Sequence, residues 1–177
     1  MTGTVTAGRR PVPQAVVALI PEREPATAAL DTALIDQREL AFLPRVLPLR
    51  RGAVVEFRNS DPLLHNVFSP SDAEFNLGTY PQGTSRYRTF DREGASVILC
   101  HVHPEMVAYV VVVPTPHFSV TDADGRFTVV GLASGSYRVR VWHRAMEPLE
   151  QRVTVGPGPS PSLRLLVRPK GSRSPQP

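Results

Sequence analysis

The chain has 177 residues, 41% hydrophobic and 20% charged, with 12 Gly and 19 Pro, a balance typical of a globular protein and too apolar for a disordered one. That length suffices for one average domain or two small ones with a buried core; the longest apolar runs, Ala15–Ile20 and Val107–Val113, fall far short of the roughly 18 residues a membrane span needs, so none is expected. The net charge of +4 gathers in the last third, where Arg138, Arg140, Arg164 and Arg168 alternate with apolar residues as on the wet face of a strand; without interleaved aromatics or a recognition-helix pattern, no nucleic-acid partner is expected.

At the N-terminus two Arg precede an apolar stretch, superficially an export signal. Ala15–Ile20 is followed at once by Pro21 and Glu22 and is too short for a signal's central region, so any export signal is expected to lie outside this sequence. Helical periodicity is confined to Pro25–Leu34, a short and Pro-flanked stretch. Strand signals recur instead, at Gly3–Thr6, Gln14–Ile20, Glu39–Leu43, Val46–Leu49, Ala53–Asn59, His65–Phe68, Ser85–Phe90 and Ser96–Cys100. They continue at Val107–Val113, Phe118–Thr121, Arg126–Val130, Gly135–Trp142, Arg152–Val155 and Ser162–Val167. Many short strands between turn residues predict an all-β protein, sandwich or barrel. The tail, residues 168–177, is poor in apolar side chains and is expected to be disordered.

In the last third, Asp124-Gly125 sits as a tight hairpin turn between two strand patterns, and Leu132–Gly135 feeds the period-2 run Ser136–Val141. The stretch TDADGRFTVVGLASGSYRVRV resembles the carboxypeptidase-regulatory-like (transthyretin-like) β-sandwich module. The opening strands of that module are matched by Gly3-Thr4-Val5 and by Gly8–Val17, with one extra residue before Pro11. The resemblance covers residues 3–20 and 117–167 and implies that residues 30–114 are a domain inserted into one loop of this smaller sandwich. The other arrangement is an ordinary tandem in which the N-terminal strands belong to the central domain.

The unusual chemistry lies in the middle. A single cysteine excludes an internal disulfide. It stands in Cys100-His101-Val102-His103-Pro104-Glu105-Met106, which offers a thiolate, two imidazoles and a thioether at one strand-to-strand turn. Taken singly, Cys100 reads as a buried thiol, His65 as a loop histidine and Met106 as core filler. Taken together, thiolate, imidazoles and a weak thioether form the donor set that suits copper in both oxidation states. The spacing Cys-x-x-His-x-x-Met turns three donors toward one point, and the fourth has to come from a neighbouring strand, where His65 is the only upstream histidine. His101, next to Cys100 on extended chain, points to the opposite face. A structural zinc site would favour more thiolates and no thioether. A Cys–His hydrolase would need a nucleophile, a base and an orienting group rather than two histidines in one tight loop.

On these residues the middle resembles a cupredoxin, and its short Cys-x-x-His-x-x-Met loop is similar to the amicyanin type rather than the longer plastocyanin loop. Gly52–Asn59 and His65–Val67 match the strand and loop that carry the first histidine in that family. The resemblance implies a Greek-key cupredoxin sandwich holding one copper, with His65 and His103 as imidazole ligands, Cys100 as thiolate and Met106 as axial thioether. It further implies that the Asn66 N–H bonds the cysteine sulfur and that Pro104 stiffens the loop after the exposed ligand. As a whole the chain resembles the methylamine-utilisation-type plastocyanin-like proteins of bacteria.

Type 1 copper implies one-electron transfer rather than enzymatic turnover, with transient redox protein partners docking near His103 on a rim of Pro62, Leu63, Leu64, Pro104 and Val102. A monomer in the bacterial periplasm is expected with it. The alternatives are a copper carrier or scavenger that hands the ion on, in which His101 gains importance, and a scaffold protein with an idle metal site.

Overall fold

The computed structural model describes residues 1–23, 32–70, 74–158 and 162–171. Among these there is no helix, and no helix long and apolar enough to cross a membrane. The strands are β1 (Thr2–Ala7), β2 (Arg10–Pro11), β3 (Val16–Pro21), β4 (Thr32–Arg38), β5 (Ala41–Leu43), β6 (Val46–Arg50), β7 (Ala53–Asn59), β8 (His65–Ser69) and β9 (Phe75–Tyr80). They continue as β10 (Ser85–Phe90), β11 (Gly94–Leu99), β12 (Val107–Val113), β13 (Phe118–Val120), β14 (Arg126–Thr128), β15 (Gly135–Trp142), β16 (Leu149–Val155) and β17 (Leu163–Leu166). The backbone divides into two compact units, one made of Met1–Ala26 with His117–Pro177 and the other of Thr27–Pro116. The first unit is therefore discontinuous in sequence, and the second lies between its two parts.

The discontinuous unit packs a sheet ordered β14-β1-β17, with β2 on β1, against a sheet ordered β13-β3-β15-β16. Its core is Val5, Val17, Leu19, Phe127, Tyr137, Val139, Val141 and Leu165 among others, drawn from both sheets. Period-2 patterning explains β15: Tyr137, Val139 and Val141 are buried while Arg138 and Arg140 face outward. There they meet Glu150 across the strand pair, the closest contact being Arg140 Nε to Glu150 Oε2 at 2.7 Å. Much of the basic excess read from the sequence is thus a solvated, partly paired face.

The continuous unit packs a sheet ordered β10-β7-β4-β5 against one ordered β6-β12-β11-β8-β9. Each contains a parallel pair, β4 with β7 and β12 with β6. Ile35, Phe42, Val55, Phe57 and Phe90 from the first sheet meet Val67, Phe75, Tyr80, Ile98, Val110 and Val112 from the second in one apolar core. Cys100 and Met106 lie in that core too, 3% and 1% exposed.

The structure departs from the expected elements in a few places, each with a reason. β4 and β9 carry no alternating apolar signal. The inward positions of β4 are Ala33, Ile35 and Gln37, and the buried amide of Gln37 breaks the pattern. Residues 32–34 of the short helical pattern are therefore strand, while the rest of it, as far as residue 31, lies outside the described residues. The expected strand Glu39–Leu43 begins only at Ala41, because Glu39 and Leu40 form the β4–β5 turn with φ of 54° and 58°. Two consecutive non-glycine residues in this region carry a cost of about 1–3 kcal/mol each. Disorder was expected from residue 168, yet Arg168 C=O accepts from Glu147 N–H at 2.7 Å and Lys170 N–H donates to Ala145 C=O at 3.0 Å. Those hydrogen bonds, with the Met146–Pro169 bridge, tie residues 168–170 to the sandwich; residues 172–177 lie outside the described residues.

Gly125 holds the turn between β13 and β14. Its φ is 71°, and a Cβ there would stand 2.5 Å from Val5 C=O. Gly125→Ala is expected to destabilise the discontinuous unit by at least about 1–3 kcal/mol. Denaturant unfolding followed by the fluorescence of Trp142, the single tryptophan, reads that unit directly; an unchanged midpoint would show that the turn relaxes freely.

Candidate metal centre

Three elements meet at one end of the continuous unit. β11 ends at Leu99 and releases Cys100, the loop to β12 carries His103, and β8 begins at His65. β8 and β12 flank β11 on opposite sides, so the start of one and the loop entering the other lie beside the same strand end. The ligand atoms of His65, Cys100 and His103 all fall within 4.8 Å of one another. His103 Nδ1 is 3.0 Å from His65 Nδ1, and Cys100 Sγ is 4.0 Å from it. Two imidazole nitrogens this close cannot both carry a proton on the facing side. One hydrogen between them, or one cation held by both, satisfies the pair.

His65 is fully buried and Cys100 nearly so, whereas His103 is half-buried. The site is therefore dry on one side and open at a single imidazole. Met106 closes the loop, with its N–H donating to His103 C=O at 3.0 Å, and its side chain is buried in the apolar cluster that includes Cys100. Pro104 and Glu105 are exposed. The Asn66 N–H donates to Cys100 Sγ at 3.4 Å. The Asn66 side chain donates to Asn76 Oδ1 at 2.8 Å, fixing that segment of β8 on β9.

His101 turns away from this group and lies flat on Phe68, with ring centroids 3.6 Å apart and an interplanar angle of 2°. His117 and His143 belong to the discontinuous unit.

Sequence reasoning missed the residues that hold His65 in place. Asp61 Oδ2 lies 2.8 Å from His65 Nε2. A carboxylate carries no proton, so Nε2–H is the donor and Nδ1 is left free to face Cys100 and His103. The same carboxylate accepts the N–H groups of Glu39 at 2.6 Å and Leu40 at 3.0 Å. Asn59, fully buried, braces the loop between β7 and β8: its amide donates to Leu63 C=O and Tyr80 C=O, and its Oδ1 accepts from Asp61 N–H. Behind it Gln37 Nε2 donates to Tyr80 Oη at 2.6 Å and Tyr80 donates to Phe57 C=O. The one available sequence signal was Asp61 standing four residues before His65 and two after Asn59.

Burial opposes ionisation of Asp61, but the hydrogen bonds from Leu40, His65 and Glu39 outweigh it and hold the carboxyl below its usual range. A depressed folded pKa stabilises the protein above the unfolded value, about 3.9, and that contribution is lost as pH falls through the lower folded value. In the metal-free protein, Asp61→Asn is expected to cost about 1–3 kcal/mol at neutral pH. The gap to the parent should close below about pH 4. Urea unfolding of both proteins across pH checks this; a gap that persists in acid would remove the carboxylate from the account.

The family model described as the carboxypeptidase regulatory-like domain matches residues 104–167. That span leaves out residues 3–20, although β1 and β3 pair with its strands, and it begins inside the continuous unit. No curated protein matches the chain. Among solved structures, a purple cupredoxin from Nitrosopumilus maritimus is 24% identical, with 46% of this chain and 99% of that one covered and a TM-score of 0.43. A copper-containing nitrite reductase from Thermus scotoductus is 23% identical over 52% of this chain and 25% of its own, with a TM-score of 0.45. The P52G mutant of amicyanin in its reduced Cu(I) form is 21% identical over 55% of this chain and 98% of its own, also with a TM-score of 0.45. The chain is thus similar to cupredoxins and, over residues 104–167, to the carboxypeptidase regulatory-like domain.

Proposed function

We propose that this protein binds one copper ion at His65, Cys100, His103 and Met106 and serves as a one-electron carrier. The observation that carries this reading is the convergence of two imidazoles on a single buried thiol that already accepts the Asn66 N–H. Copper, when bound, supplies a couple between Cu(I) and Cu(II), for which thiolate, imidazole and a weak thioether are suitable donors. The chain's own part is to hold those donors in one arrangement. Asp61 fixes the His65 ring, Asn66 draws charge from the Cys100 sulfur, and the apolar core around Cys100 and Met106 keeps water from that side. With four protein donors no position stays open for a substrate, which favours a carrier over an enzyme.

His103 is the donor nearest to solvent, and around its loop Leu63, Leu64 and Val102 are 45%, 55% and 46% exposed, beside exposed Pro62 and Pro104. Such a rim, small and apolar, suits transient encounters with redox protein partners. An extracytoplasmic location and a monomeric state belong to the same reading.

Addition of one equivalent of Cu(II) to the metal-free protein is expected to give an intense thiolate-to-copper band in the visible, bleached by ascorbate and restored on reoxidation. Cys100→Ser should abolish the band. Met106→Gln should retain copper and lower the reduction potential. A weak d–d band alone in the parent, or a coloured Cys100→Ser variant, would overturn the reading; copper that chelators remove within seconds would favour a carrier of the ion over a carrier of electrons.

A further inference from the structure

The Asp61 carboxylate does two things at once. It takes the His65 Nε2–H, and it takes both N–H groups of the Glu39–Leu40 turn, with Oδ2 shared between Leu40 and His65. That turn has left-handed φ at two successive residues, neither of them glycine. Such backbone persists where its surroundings hold it. The hydrogen bonds from the two strained amides end on Asp61, and Asp61 is itself anchored by its own N–H on Asn59 Oδ1. Anything that immobilises the His65 ring therefore also fixes the oxygen on which Leu40 closes.

We infer that Asp61 is a positioning residue that couples the metal centre to the β4–β5 turn: a metal on His65 Nδ1 tightens the turn, and the closed turn holds His65 for the metal. The inference rests on the metal-site reading above. The coupling is reciprocal by thermodynamic necessity, so the factor by which metal suppresses turn opening equals the factor by which a closed turn strengthens metal binding. Hydrogen-bond partners of metal-ligating histidines are typically worth about 10–100-fold in affinity, which sets the expected size. Leu40 is 40% exposed, so the turn reaches the surface, where amide exchange reads its opening.

The test is amide hydrogen exchange by NMR at neutral pH, anaerobically, with and without one equivalent of Cu(I). The Glu39 and Leu40 amides are expected to exchange at least about tenfold more slowly with Cu(I). The Arg126 amide, which donates to Asp122 Oδ1 in a turn of the other unit, should not change. Asp61→Asn should erase the difference at Glu39 and Leu40 and weaken Cu(I) binding by about 10–100-fold in competition with a chromophoric chelator. Unchanged exchange at both amides in a parent protein whose Cu(II) form shows the visible band overturns the coupling while leaving the metal site standing. Absence of the band overturns the metal site and the coupling with it. The parent comparison decides the matter even if the variant does not fold.

Discussion

A fully buried imidazole must place its second nitrogen somewhere, and in this protein that place is Asp61 Oδ2. Much of the arrangement of the continuous unit at this end follows from that contact. A carboxylate can sit there because the neighbouring backbone supplies the Glu39 and Leu40 N–H groups, which offset the cost of removing its charge from water. Those amides point at it because the β4–β5 turn takes an unfavourable backbone conformation, and the Asn59 side chain sets the path of the loop on which Asp61 stands. One ring orientation is thus maintained by a chain of polar groups, each of which would be costly to bury alone.

The sulfur side is built differently. Cys100 is surrounded by apolar residues from both sheets, and apart from the two imidazoles the polar group against its sulfur is a backbone amide, that of Asn66. The pairing of β8 with β9 shifts register between Asn66 and Phe68, and the Asn66 side chain is fastened to Asn76 beside that irregularity. The site therefore joins a rigid, apolar half around the thiol to a hydrogen-bonded half around His65, with His103 at the edge facing solvent. The three donors are thus held in place by groups outside the cluster, Asp61 for the His65 ring and the Asn66 amide for the sulfur.

The discontinuous unit contributes a second sandwich whose two parts in sequence flank the continuous unit. Its exposed arginines on β15 and β16 face solvent beside Glu150 and Glu22, and exposed pairs of this kind contribute little to stability. What holds it is the shared apolar core of its two sheets.

The sequence alone was enough for the all-β class, because alternating apolar residues and turn-forming Gly, Pro and Asp are local signals. It also singled out Cys100, His103 and Met106, which share one loop, and His65, the only histidine upstream; of these the fold brings His65, Cys100 and His103 within 4.8 Å of one another. The strands β4 and β9 were not legible, since the inward Gln37 and the mixed faces of Phe75–Tyr80 break the period on which a strand reading depends. Nor were Asp61, Asn59 and Gln37, because a polar residue in a loop or strand looks solvated until tertiary contacts bury it. Only the three-dimensional structure decided which polar side chains left water. It also decided that two residues as ordinary as Glu39 and Leu40 would be bent into a strained turn to satisfy one of them, because burial and long-range hydrogen bonding belong to the folded chain and leave no periodicity in its sequence.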